Sequence, residues 1–113
     1  MALHHKATDT KSKNARAQGG LVVKTLRTSN GYTQRGLAHT VGLDYYTFIS
    51  QIESGVGKIP PAKYQAFADA FGVDAKKFVR ELMKFYDPDT FEVLFDASRT
   101  EPTDYESLKL TVR

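Results

Sequence analysis

The 113 residues carry a formal net charge of +3, are 41% hydrophobic and 26% charged, and include no cysteine. That length holds one domain plus tails, which excludes a large multi-layer enzyme, and the composition belongs to a chain that builds a core. Without thiols there is no disulfide framework, no cysteine-ligated zinc and no thiol nucleophile. No apolar run approaches the roughly 18–20 residues of a membrane span, and no apolar signal-peptide core stands near the start, so a cytoplasmic location without membrane association is expected.

Charge is unevenly placed. Residues 1–30 set six basic side chains against Asp9, residues 31–58 balance, and residues 59–86 are net basic, whereas residues 87–113 set three basic against seven acidic side chains. A basic body with an acidic tail is an asymmetry found in nucleic-acid proteins, with a merely solvated surface as the alternative.

In chain order, residues 1–18 are polar and basic with little to bury, which predicts a flexible basic arm with order beginning near Asn14. After Gly19-Gly20, residues Val22, Val23 and Leu26 share one helical stripe that should end at Asn30-Gly31. Thr33 is an N-cap candidate for a second helix running to Val41, where Gly42 stops it. Asp44 is expected to cap a third helix over residues 45–53, bearing Phe48, Ile49 and Ile52 on its core side and ending at Ser54-Gly55. Pro61 suits the first turn of a fourth helix with Tyr64, Phe67, Ala68 and Phe71 on one face, and Gly72 closes it. Asp74 opens a fifth, with Phe78, Val79, Leu82 and Phe85 or Tyr86, ended by Asp87-Pro88-Asp89. The domain thus predicted spans residues 19–86. In the extension 87–113, residues 91–95 fit either a helical turn or a strand. Leu108, Leu110 and Val112 alternate like a strand. The extension is expected to be either largely disordered or a dimerising, partner-binding element.

Two short helices joined by a glycine-bearing turn, Thr33 to Gly55, form the unit of helix-turn-helix DNA binding. Ala38 and Gly42 supply the small residues that a close, steep crossing needs, and Leu37, Val41, Ile49 and Ile52 the apolar contacts behind it. The remaining face of the third helix is left polar.

At Thr33-Gln34, Leu37-Ala38, Val41-Gly42, Ile49-Ser50-Gln51-Ile52-Glu53-Ser54-Gly55, Pro60, Phe67-Ala68 and Phe71-Gly72-Val73, the chain resembles the Cro/lambda-repressor-like (XRE) helix-turn-helix regulators over about residues 20–86. Gly42 to Gly55 is one residue longer than the family pattern, with the extra residue among positions 43–46. The resemblance implies an all-α, five-helix DNA-binding domain. It implies base contacts from Tyr46, Thr47 and Gln51, with the Gln51 amide suited to adenine N6 and N7. It also implies phosphate contacts from Gln34 at a helix start and from Ser54 and Lys58 past the recognition helix. Tyr45 can donate its phenol to a phosphate, and Arg35 and Lys24 add phosphate attraction. Arg27 and Glu53 occupy positions that the family pairs, joining the first helix to the end of the third; losing one partner would strand a partly buried charge.

The function expected is sequence-specific, double-stranded DNA-binding transcriptional regulation, as a homodimer on an inverted-repeat operator with half-sites about 34 Å apart. An antitoxin-like or adaptor protein, docking a protein partner through Phe91, Val93, Leu94 and Phe95, is the alternative. No catalytic motif and no cofactor are expected. His4-His5 lacks further ligands at metal spacing, and His39 reads as a surface residue.

Overall fold

The computed structural model describes residues 2–97 and 99–111, with side chains described from Asn14 onward. The described residues form seven α-helices in the order α1 (Ala2–Ser29), α2 (Gln34–Val41), α3 (Thr47–Ser54), α4 (Tyr64–Phe71), α5 (Ala75–Tyr86), α6 (Pro88–Phe95) and α7 (Tyr105–Leu108), with a 3₁₀ turn at Pro61–Lys63 leading into α4. There is no strand among the described residues, only an isolated bridge between Val73 and Lys109.

Local chemistry sets most helix ends. The Thr33 hydroxyl accepts the Gly36 N–H, and the Asp74 carboxylate accepts that of Lys77, each satisfying a donor left unpaired in a first turn. Gly42 and Gly72 adopt φ of 75° and 65°, and the following N–H groups of Leu43 and Val73 return to the carbonyls of Ala38 and Ala68. These are left-handed closures that a residue with a Cβ resists. Asp87 ends α5 and accepts the Thr90 N–H at the start of α6, with Pro88 at the first helical position.

The core lies where α1, α2, α4 and α5 meet behind α3, around the fully buried Val23, Leu37, Ile49, Ile59, Phe67, Phe78 and Leu82. Phe67, Phe71 and Phe78 meet edge to face at centroid distances of 6.0 and 5.9 Å.

Three features differ from the expectations. Residues 2–18, expected as an arm, are helical backbone continuous with α1, and Gly19-Gly20 lies inside the helix. At Gly19-Gly20 the physical reason lies in a close approach. A Cβ at Gly20 would stand 2.2 Å from the Glu53 carbonyl oxygen, and one at Gly55 would stand 2.6 Å from the Ala17 nitrogen, so α1 and the end of α3 touch backbone to backbone. Arg16 Nε donates to the Gly55 carbonyl at 3.1 Å across this contact. The side chains of Lys6, Lys11, Lys13, His4 and His5 lie outside those described.

Second, α3 begins at Thr47, not at residue 45, and Asp44 does not cap it. The helix starts from Tyr46 with no side-chain cap, which leaves Asp44 two residues short of the capping position. Phe48, expected in the core, is 44% exposed, because Ile49 and Ile52 alone fill the inward stripe.

Third, the extension folds onto the domain. Phe91 and Leu108 are buried, the Asp74 N–H donates to the Leu108 carbonyl at 2.8 Å, and the Leu110 N–H to that of Gly72 at 3.2 Å. Thr103 Oγ1 donates to Glu81 Oε2 at 2.8 Å, and Lys84 pairs with Glu81 Oε1 at 3.0 Å, so the buried Glu81 carboxylate is satisfied from both sides. The strand-like alternation at 108–112 does not become a strand. Residues 105–108 form α7, Leu110 is exposed, and Val112 lies outside the described residues.

Candidate nucleic-acid interface

Helix α3 has two faces. Ile49 and Ile52 are buried against the core, and Thr47, Ser50, Gln51 and Ser54, at helical spacings of three and four, are exposed on the other side. This exposed strip is polar and uncharged, with hydroxyl and amide groups able both to donate and to accept. Tyr45 and Tyr46, in the turn leading into α3, are both exposed, Tyr45 at 66% and Tyr46 at 41%. Tyr45 lies against Phe48 with ring centroids 6.1 Å apart, and the Arg35 guanidinium sits 4.5 Å from the Tyr46 ring centroid. The latter cation–π contact holds a positive charge at the start of α3.

The position of α3 is set by a network at its far end. Arg27 Nε and Nη2 reach Glu53 Oε2 and Oε1 at 2.6 and 3.1 Å, and Arg27 Nη1 donates to the Tyr32 carbonyl at 2.9 Å. Both side chains are nearly buried, at 11% and 6% exposure, and the two-pronged geometry fixes α1 to α3. Gln34 Nε2 also donates to Glu53 Oε1, at 3.1 Å. The first residue of α2 is thereby tied to the same carboxylate, which directs one of its amide protons inward.

Past α3, the Gly57 N–H returns to the Gln51 carbonyl at 3.0 Å, folding the loop back along the helix. Lys58 is exposed, its ammonium 5.9 Å from the Tyr86 ring centroid. The Ile59 N–H donates to the Tyr86 hydroxyl at 3.4 Å. Burial pushes the Tyr86 phenol up to about 12, with this hydrogen bond opposing and Tyr64 adding slightly. Ser54 Oγ is exposed and donates to the Gln51 carbonyl at 3.2 Å. His39 and Lys24 are exposed.

Tyr46, Thr47, Gln51 and Ser54 are thus brought together on α3 and its leading turn, Arg35 and Tyr45 flank the start and Lys58 the end, while Gln34 faces partly inward. Two contributors escaped the sequence reading. Lys63 Nζ donates to the Gly42 carbonyl at 3.1 Å, closing the end of α2, and Arg16 closes the end of α3. Arg16 and Gly55 are 39 positions apart, and no local pattern signals such a pairing.

Two helices crossing through a glycine turn, the second with its polar face outward, define a helix-turn-helix DNA-binding domain. Residues 23–78 match the family described as Helix-turn-helix, and through them the chain belongs to the Cro/lambda-repressor-like (XRE) helix-turn-helix regulators, a DNA-binding family. No curated protein matches the chain. Among the described residues, no helix is long and apolar enough to cross a membrane.

Proposed function

We propose that the protein is a sequence-specific transcriptional regulator that seats α3 in the major groove of double-stranded DNA. Gln51 hydrogen-bonds an adenine edge, with Thr47 and Tyr46 beside it on neighbouring bases. Arg35, Tyr45, Ser54, Lys58 and the outward amide proton of Gln34 meet phosphates. The observation that carries this reading is the exposed polar strip of α3, Thr47, Ser50, Gln51 and Ser54, held outward by buried Ile49 and Ile52 and by the Arg27–Glu53 pair. Selection of bound fragments from random duplexes at a stated salt concentration tests it. One inverted repeat should emerge, and Gln51→Ala should lose about 1–3 kcal/mol of discrimination at one base pair per half-site. A Gln51→Ala protein with unaltered preference at every position refutes the role given to Gln51.

A second copy of the chain is the partner this reading requires, since one eight-residue helix reads too few bases. The outer face of α5 and α6 supports it. A groove of about 580 Å³ is lined by Val79, Met83 and Phe95 with Lys76, Lys77 and Arg80, and next to it α6 exposes Val93 (82%) and Leu94 (63%) beside Asp89 and Asp96. Two-fold pairing sets the acidic, apolar α6 of one copy against the basic, apolar groove of the other. Leu94→Lys should then yield monomers by light scattering. If the wild-type chain is itself monomeric on and off DNA, the homodimer fails. The exposed Val93 and Leu94 would then favour a different protein partner, one in which the buried Phe91 takes no part.

A further inference from the structure

The reading face contains one feature that phosphate and hydrogen-bond contacts leave unused. Beside Gln51 lies a cleft of about 190 Å³ whose lining includes Leu43, Phe48, Ile52 and Pro60, together with Gln51 and Lys58. We propose that this cleft receives the C5-methyl edge of a thymine next to the base pair read by Gln51, which makes Phe48 a specificity-determining residue. The inference rests on the placement of α3 in the major groove given above.

Phe48 precedes Gln51 by three residues, so the two are neighbours on adjoining strips of α3, and whatever meets the Gln51 amide lies beside the Phe48 ring. The cleft is apolar, whereas the strip next to it is made of hydroxyls and an amide. Major-groove base edges are hydrogen-bond donors and acceptors with one apolar exception, the thymine methyl. A polar base edge placed against Phe48, Ile52 and Pro60 would give up its water and find no partner on that wall, whereas a methyl gains, and the Lys58 ammonium that also lines the cleft is left to the neighbouring phosphate. The volume exceeds that of a methyl group alone and accommodates the C5–C6 edge that carries it. Phe48 is 44% exposed and braced by Tyr45, an apolar surface kept open on a face that docking to DNA would cover.

The experiment uses the preferred duplex from the selection above, with each thymine replaced singly by uracil, which removes the methyl and keeps the base pairing. At one thymine per half-site, adjacent to the Gln51-dependent pair, uracil should weaken binding about three- to tenfold, the effect of one buried methyl. In Phe48→Ala, whose folding is checked by its melting curve, uracil and thymine should bind alike at that position and keep their wild-type behaviour elsewhere. Should that variant not fold, Phe48→Ser takes its place. Uracil tolerated at every position, a selected site without thymine there, or a methyl effect undiminished in the Phe48 variant overturns the inference, while a base preference altered by Gln51→Ala leaves the reading of α3 standing. Equal binding of all duplexes by the wild type overturns that reading and the inference with it.

Discussion

Gly20→Ala should destabilise the domain even though alanine is the better helix former. Gly20 sits inside α1, where intrinsic propensity alone favours alanine by about 1 kcal/mol. The added methyl, however, would stand 2.2 Å from the carbonyl oxygen of Glu53 and 2.5 Å from that of Ile52. Carbon contacts are favourable only beyond about 3.5 Å, so α1 and the end of α3 must separate by roughly 1 Å. The obstructing atoms are backbone, which cannot rotate away as a side chain does. Separation also strains the Arg27–Glu53 pair, whose Nε–Oε2 distance is 2.6 Å. Overpacking of this kind costs about 1–3 kcal/mol, with rigid obstacles at the upper end, leaving a net loss of about 2 kcal/mol after the gain in propensity. For a domain of this size that lowers Tm by roughly 8 °C. Urea unfolding followed by circular dichroism should show a lower midpoint at unchanged slope. A variant as stable as the wild type, or more stable, would refute the backbone contact between α1 and α3, because the sign of the effect separates contact from propensity.

Leu108→Ala should destabilise the protein by about 2–4 kcal/mol, as a buried leucine does, whereas Leu110→Ala, at an exposed position, should change stability by less than about 0.5 kcal/mol. Equal small effects in urea titrations would place the extension outside the cooperative unit. The buried Tyr86 phenol ionises near 12 in the folded protein and near 10 in the unfolded chain, so the unfolded state loses its proton first. The stability contributed by neutral Tyr86 is therefore complete below pH 10 and is lost as pH rises toward 12. An ultraviolet phenolate titration should show a tyrosine lagging behind the exposed ones, and Tyr86→Phe should remove the lagging step. A wild-type titration without that step refutes the burial argument.

How much of this was readable in the residues depends on the range of the interaction concerned. The ends of α2, α4 and α5 follow from Thr33, Gly42, Gly72 and Asp74, each acting on backbone groups a few positions away. The inward stripes of Ile49 with Ile52, and of Phe67 with Phe71, follow from helical period. Phe48 borders the inward stripe, and only the space actually available behind α3 decides which side of that border it takes. Asp44 is a good cap by type, yet α3 begins at Thr47 with Tyr46 at the capping position, two residues past Asp44.

The amino-acid sequence by itself determined the helical class, the glycine-closed turn between α2 and α3, and the polar outer strip of α3, because these arise from contacts within one or two turns of chain. Only the tertiary structure decided that α1 runs through Gly19-Gly20 and meets the end of α3 at Gly55, that Gln34 shares Glu53 with Arg27, and that Phe91 and Leu108 belong to the folded domain. Those outcomes depend on surfaces distant in sequence fitting at ångström scale. A glycine that reads locally as a helix breaker becomes, once two helices must touch, the one residue small enough to let them.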